Sequence, residues 1–149
     1  MSGIFDLMRD VAGFHFKFNI PVRSAPRPID PAEAHRRFLL INEEADELLD
    51  ALQDQNLEEI ADGIADLIYV AIGTALTFGI DLAPVWYEVQ RTNMLKEGGA
   101  FLEKIKKPAG WQPPRIKEAL QRQHFTGSLW ARLGGLEWHK KNASNSPNR

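Results

Sequence analysis

Apolar residues recur at helical spacing through most of the chain, and the strict alternation that marks β-strands is nearly absent. This pattern predicts four long helices and one short one, over residues 4–18, 31–53, 56–78, 82–97 and 115–123. The connections between the long helices are short. Sequences of this kind form all-α folds, and we predict an antiparallel helical bundle.

Turn and capping residues place the helix boundaries. Asp30 is a suitable N-cap, Pro31 suits the first helical position, and Glu33 stands where a capping box requires an acid. Four prolines within eleven residues predict an extended connector before this helix, over residues 21–29. Asn56 and Asp81 are N-cap candidates for the third and fourth helices.

The second predicted helix is apolar around much of its circumference. Its large apolar residues are Phe38, Leu39, Leu40, Ile41, Leu48, Leu49 and Leu52. One chain of 149 residues has little surface left to cover so wide a face. The pattern therefore predicts a homo-oligomer, either a homodimer or a homotetramer.

Length and composition indicate one principal domain. We assign residues 1–122 to it and residues 123–149 to a C-terminal extension that is partly disordered, because its end is polar. The chain has no cysteine, which excludes disulfides, thiolate metal sites and cysteine nucleophiles. The apolar run 67–80 is shorter than the ~20 residues of a membrane span. We predict a cytoplasmic protein that binds neither membrane nor nucleic acid.

Half of the chain's 20 acidic residues are concentrated in one segment. They are Glu43, Glu44, Asp46, Glu47, Asp50, Asp54, Glu58, Glu59, Asp62 and Asp66. No Lys or Arg lies among them, although solvated helices gain from opposite charges four residues apart. Either these acids form a solvated surface, or a divalent cation neutralises them.

The short link near Gln55 makes the second and third helices antiparallel neighbours. With the turn there, Glu44 should face Asp66, and Glu47 should face Asp62 or Gly63. Two stripes of carboxylates then meet across one helix pair, where like charges are costly unless they are protonated or bridged. Oxygen ligands without imidazole favour Mg²⁺ or Mn²⁺ over zinc or iron. Small Gly63 and Gly73 could leave room there for a ligand.

Several segments resemble one enzyme group. Residues 43–47 read EExxE, and residues 62–70 look like the second acidic motif of the all-α nucleotide pyrophosphohydrolases. That group comprises MazG, phosphoribosyl-ATP pyrophosphohydrolase and the dimeric all-α dUTPases. Residues 79–96, residues 107–114 and the Phe14-His15 pair are more similar to its MazG-like, phosphoribosyl-ATP pyrophosphohydrolase-like branch.

The resemblance implies a Mg²⁺-dependent hydrolase that converts a nucleoside triphosphate to a monophosphate and pyrophosphate, with dUTP or another (d)NTP as substrate. It implies that Glu43, Glu44, Glu47 and Asp66 bind the metal, and that one of these glutamates orients the attacking water. Family members commonly have a glutamate three residues before the final aspartate, where this chain has Gly63. Asp62 or Glu59 is expected to replace it.

Five residues are candidates for binding the substrate, each with a structural alternative. Asn93 and Lys96 could contact sugar and phosphate, or form an exposed helix end. Lys107 belongs to a basic loop that closes over phosphates or is simply solvated. Trp111 and His15, like Phe14, either contact the base or belong to the core. An inactive nucleotide-binding protein and an acidic interaction module are the alternative functions.

Overall fold

The computed structural model describes residues 3–98, 103–125 and 129–134. Regular structure within these ranges is entirely helical, which confirms the predicted all-α class. The helices are α1 (Ile4–Lys17), α2 (Pro31–Asp54), α3 (Leu57–Phe78), α4 (Leu82–Asn93), α5 (Ile116–Phe125) and α6 (Leu129–Arg132). α2 and α3 form the most extensive helix pair, and α1 packs on α3.

The N-terminus of α2 is built partly as predicted. The Asp30 carboxylate accepts a hydrogen bond from the Ala32 N–H at 2.8 Å, and Pro31 is the first helical residue. The predicted capping role of Glu33 is wrong. Its two carboxylate oxygens accept from the Arg23 guanidinium at 2.9 and 2.7 Å, because a bidentate charged donor binds a carboxylate more strongly than one backbone N–H does.

Polar caps and a glycine fix both ends of α3. Asn56 accepts hydrogen bonds from the Glu58 and Glu59 N–H groups at 3.2 and 3.5 Å. At the other end Gly79 adopts a left-handed φ of 74°. A Cβ there would collide with the backbone carbonyl of Ala25, so both the conformation and the close approach require glycine.

The core lies where α1 crosses α3. Its buried apolar side chains are Met8, Val11, Ala12, Val22, Ile72, Leu76, Leu129 and Leu133. Leu129 and Leu133 belong to the predicted C-terminal extension, and the predicted boundary at residue 122 falls inside α5. The start of that extension therefore packs into the same core. Residues 135–149, including the tail that we expected to be disordered, lie outside the described residues.

α4 ends at Asn93, four residues before the predicted end. The chain leaves the helix because Glu97 and Lys106 exchange two backbone hydrogen bonds of 2.9 and 2.7 Å. The Trp111 indole N–H also donates to the Thr92 carbonyl at 3.0 Å and so satisfies a terminal acceptor of α4. These partners are distant in sequence, which is why helical periodicity misplaced this end.

A wide apolar surface of the α2–α3 pair remains exposed among the described residues. Phe38 is 59% exposed and Leu57 is 80% exposed, and Leu39, Leu49, Leu52, Ile64 and Ile68 are also exposed. α3 is long and apolar enough to cross a membrane by length and composition alone. It nevertheless packs along α2 and against α1, as a helix of a globular domain does.

Candidate active site

The antiparallel pair α2–α3 has almost the predicted register. Gly63 lies opposite Leu48, one residue from its predicted partner Glu47, and a Cβ on Gly63 would be 3.2 Å from the Leu48 Cα. Gly63 is therefore a point of close helix approach. The prediction that it leaves room for a ligand is wrong, because Leu48 fills that space.

Four acids of the predicted metal set act electrostatically on the fifth, Glu44. Glu44 is half-buried. Burial is the largest cause of the raised pKa of its carboxyl, and the negative charges of Asp66, Glu47, Glu43 and Asp62 raise that pKa further, in that order. Glu59 is absent from the groups that shift it, and so is Asp50. The acids named from the two motifs thus surround Glu44.

These acids have no cationic partner in the part of the chain that the structure describes. The ion pairs found there involve Asp6, Glu33, Asp81 and Glu88, all outside the hairpin's acidic segment. Glu43, Glu47, Asp62 and Asp66 are exposed. No three His, Asp or Glu side chains among the described residues are arranged to hold a metal ion.

The donor set nevertheless fits a hard divalent cation. It consists of carboxylate oxygens only, which Mg²⁺ prefers, and Mg²⁺ typically keeps several waters and takes few protein carboxylates. Burial is the largest cause of the raised pKa of Glu44, and a cation would relieve the second cause, the negative charges of four neighbouring acids. Exposed acids also have the rotameric freedom to gather around an ion.

A cavity of about 750 Å³ opens beside these acids. Glu44 and Asp66 line it, together with His15, Arg37, Phe14 and Tyr69. The rings of Phe14 and Tyr69 meet edge to face, with centroids 5.6 Å apart. Its volume falls in the range of small-molecule sites, and its lining combines aromatic surface with a few polar groups.

His15 is a buried polar group of this cavity, with 2% of its surface exposed. Its pKa is lowered to about 4: burial is the largest cause, the hydrogen bond with Pro21 opposes it, and the positive charge of Arg37 adds to it. The imidazole is therefore neutral near pH 7. Its Nδ1 lies 3.4 Å from the Pro21 carbonyl oxygen, which can only accept, so Nδ1 carries the proton and Nε2 carries a lone pair.

Arg37 is the cavity residue that the sequence interpretation missed. It is 7% exposed and donates to the Thr74 hydroxyl at 3.1 Å and to the Val70 carbonyl at 2.7 Å. Gly73 makes this position possible, since a Cβ there would be 2.6 Å from Arg37 Nη2 and 2.8 Å from His15 Nε2. The prediction of ligand space at Gly73 is wrong, because those two side chains occupy it. The sequence did contain a signal for this position of Arg37, because Gly73 lies opposite Arg37 in the predicted register.

The other predicted substrate-binding residues stand apart. None of Asn93, Lys96, Lys107 and Trp111 lines the cavity that Glu44 shares with Asp66. Lys107 and Lys96 lie over the Trp111 ring, 4.5 and 5.9 Å from its centroid. Within one chain the structure therefore brings His15 to the acids, whereas these four lie at the C-terminal end of α4 or beyond it.

A second carboxylate, Glu88 on α4, has an entirely different environment. It is 8% exposed and accepts hydrogen bonds from the Arg91 guanidinium and from the guanidinium and backbone N–H of Arg115. These bonds lower its pKa to about 2. Glu88 lies between α4 and the start of α5, so its role is to join these two helices.

The fold and the acidic hairpin define an all-α protein with a carboxylate-rich site beside a nucleotide-sized cavity. Residues 11–93, more than half of the chain, match the phosphoribosyl-ATP pyrophosphohydrolase family. The chain belongs to that family, which is part of the MazG-like superfamily of all-α NTP pyrophosphohydrolases.

A curated relative is an uncharacterised protein of Acanthamoeba polyphaga mimivirus. It is 43% identical over 53 residues, which are 36% of this chain. The match spans 21% of the viral protein's own length.

Proposed function

We propose that the chain is a Mg²⁺-dependent nucleoside triphosphate pyrophosphohydrolase, with Mn²⁺ able to replace Mg²⁺ and dUTP or another (d)NTP as substrate. Family membership supports pyrophosphohydrolase activity on a nucleotide-like substrate. The observation that carries the proposal is the position of Glu44 and Asp66, which belong to the acid cluster and also line the cavity. One end of a bound nucleotide would then reach the acids while its base occupies the cavity.

Glu43, Glu44, Glu47 and Asp66 are the proposed metal ligands, with Asp62 in place of the family glutamate missing at Gly63. Asp62 is favoured over Glu59 because it contributes to the electrostatic environment of Glu44 and Glu59 does not. A bound Mg²⁺ would neutralise triphosphate charge and lower the pKa of a coordinated water.

The chain's own residues position the reactants. One of the three glutamates orients a water for attack on the α-phosphorus and takes its proton. The bond between that phosphorus and the oxygen bridging to the β-phosphate breaks, which releases pyrophosphate and leaves a nucleoside monophosphate. Glu44 suits the proton-accepting role, because it belongs to the acid cluster and also lines the cavity.

Asn93, Lys96, Lys107 and Trp111 are proposed to act on a site of a second copy, in a homodimer or homotetramer. The exposed apolar face of α2–α3 is a suitable contact surface for that copy. The basic loop also complements the acidic segment, which has no cationic partner among the described residues of its own chain. Triphosphate substrates and Mg²⁺ are consistent with the proposed cytoplasmic location.

The test is pyrophosphate release from a panel of ribo- and deoxyribonucleoside triphosphates, with and without divalent cations. We expect turnover with Mg²⁺ or Mn²⁺, little with Ca²⁺, and none in the presence of a chelator. Full activity with the chelator would contradict the proposal. Mg²⁺-dependent nucleotide binding without turnover would instead identify an inactive nucleotide-binding protein.

A further inference from the structure

Arg37 is a buried cation that forms no salt bridge with any carboxylate of the described residues. The nearest acid along its helix face, Glu33, is occupied by both guanidinium nitrogens of Arg23. Arg37 uses Nε on Thr74 and one Nη2 hydrogen on Val70, and both acceptors are neutral oxygens. A guanidinium has five N–H donors, so three of them have no acceptor among the described residues.

Leaving buried donors unpaired costs free energy, typically about 1–3 kcal/mol for each group. Such a group therefore suggests a ligand acceptor, particularly where it lines a cavity, as Arg37 does. Arg37 precedes Glu44 by seven residues on α2, which is two helical turns or about 10 Å along the helix. That separation is comparable with the span of a nucleoside from its 5′ oxygen to the far edge of its base.

His15 supplies the complementary group at the same end of the cavity. Its Nε2 and Arg37 Nη2 both lie within 2.8 Å of the point where a Cβ of residue 73 would be, so the two atoms are neighbours. The neutral His15 presents a lone pair on Nε2, while Arg37 presents N–H groups. A phosphate fits Arg37 but not His15, because its oxygens would face that lone pair.

We infer that Arg37 and His15 determine base specificity, by binding a ring carbonyl and the adjacent ring N–H of the substrate base. This lactam edge occurs in uracil, thymine and guanine. Arg37 donates to the carbonyl oxygen and His15 Nε2 accepts from the ring N–H, while Phe14 and Tyr69 supply apolar wall. The inference rests on the proposed hydrolase function and assigns its substrate class.

The test compares kcat/KM for deoxyuridine triphosphate and deoxycytidine triphosphate. The two share sugar and triphosphate, but cytosine has an amino group in place of the carbonyl and a lone pair in place of the ring N–H. With cytosine bound, the N–H donors of Arg37 would face the amino group. The lone pair on His15 Nε2 would face the lone pair of the ring nitrogen. We expect the parent enzyme to prefer the uracil substrate by at least about tenfold, since unpaired polar groups discriminate strongly.

Two variants test the individual residues through this ratio. Arg37→Gln and His15→Phe should each reduce the preference for the uracil substrate by about tenfold, chiefly through a lower kcat/KM for that substrate. Arg9→Gln is the control, because it removes an arginine from the exposed surface of α1, and the ratio should stay as in the parent. A ratio is insensitive to a general loss of folded enzyme.

The outcomes separate this inference from the proposed function. Equal kcat/KM for the two substrates in the parent would overturn the inference alone. So would an unchanged ratio in both variants, which would show that Arg37 and His15 are only structural. Failure of the parent to hydrolyse any nucleotide would overturn the proposed function and this inference with it.

Discussion

Glu44 on α2 is half-buried and Glu88 on α4 is buried, yet the pKa values of their carboxyls shift in opposite directions. Glu88 accepts hydrogen bonds from two arginines, and its pKa falls to about 2. The pKa of Glu44 is raised, because burial and four neighbouring acids disfavour its charge. Arginine side chains pair with the carboxylate of Glu88, whereas no cation among the described residues pairs with that of Glu44.

The two glutamates show how a carboxylate that stabilises the fold differs from one that is available to a ligand. A carboxylate paired within the fold stabilises the fold and has no capacity left for a ligand. A carboxylate crowded by others destabilises the fold at neutral pH, which makes a bound cation favourable. We therefore assign Glu88 to stability and Glu44 to chemistry.

The largest expected effect comes from exchanging each glutamate for its amide. Glu44→Gln should lower pyrophosphate release by about 10³-fold or more, the scale on which loss of one preorganised electrostatic group lowers turnover. Its metal-free form should melt no lower than the parent, because the change relieves repulsion. Steady-state kinetics and thermal melting measure the two effects.

Glu88→Gln should behave in the opposite way. Its metal-free form should melt clearly lower, because Arg91 and Arg115 lose a charged acceptor. Turnover per folded molecule should stay close to the parent value, since Glu88 does not line the cavity beside the acids. Loss of activity in both variants, or loss of stability in both, would contradict the distinction.

His15 sharpens the comparison through pH. The unfolded chain protonates His15 near pH 6.5, whereas the folded protein does so only near pH 4. Lowering the pH through this window therefore favours the unfolded state. Between pH 7 and pH 4 the free energy of unfolding of the parent should fall by about 3 kcal/mol more than that of His15→Gln. Parallel pH profiles in denaturant unfolding would show that burial does not hold His15 neutral.

A smaller effect is expected at Gly73. In Gly73→Ala the new methyl group would displace Arg37 and His15, with an overpacking cost of about 1–3 kcal/mol. The gain in helix propensity is only about 1 kcal/mol. Gly63→Ala should cost less, because its nearest contact, Leu48 Cα, is at 3.2 Å. Denaturant unfolding in which Gly73→Ala is the more stable of the two would contradict the packing at Gly73.

The hairpin could be predicted because its determinants are local. Asp30, Pro31 and Asn56 fix helix ends through neighbouring residues, and a short link fixes the antiparallel register to within one residue. The placement of Glu44 beside Asp66 followed from that register, whereas the full ligand set came from the family resemblance. The early end of α4 depends on Trp111 and Lys106, which are distant in sequence and could not be placed by periodicity.

The rest of the site depends on side-chain packing, which the periodicity of the sequence does not encode. Arg23 binds Glu33 in place of the expected cap, and Arg37 forms no salt bridge with this nearest acid on its helix. Leu48 fills the space beside Gly63, where we expected room for a ligand. Arg37 and His15 fill the space beside Gly73. The proposed role of Lys96 and Lys107 depends on how a second copy is oriented, which the periodicity of one chain does not encode.

Binding of Mg²⁺ by the acidic hairpin can be measured as the Mg²⁺-induced rise in melting temperature of the parent, Glu47→Gln and Asp50→Asn. Both variants lose one exposed charge on the same stripe of α2, but only Glu47 contributes to the environment of Glu44. Mg²⁺ stabilises the folded state by mass action, and the stabilisation increases with its affinity. We predict a clear shift for the parent and for Asp50→Asn, and a much smaller one for Glu47→Gln. Equal shifts in all three proteins would mean that the acidic hairpin is only a solvated surface.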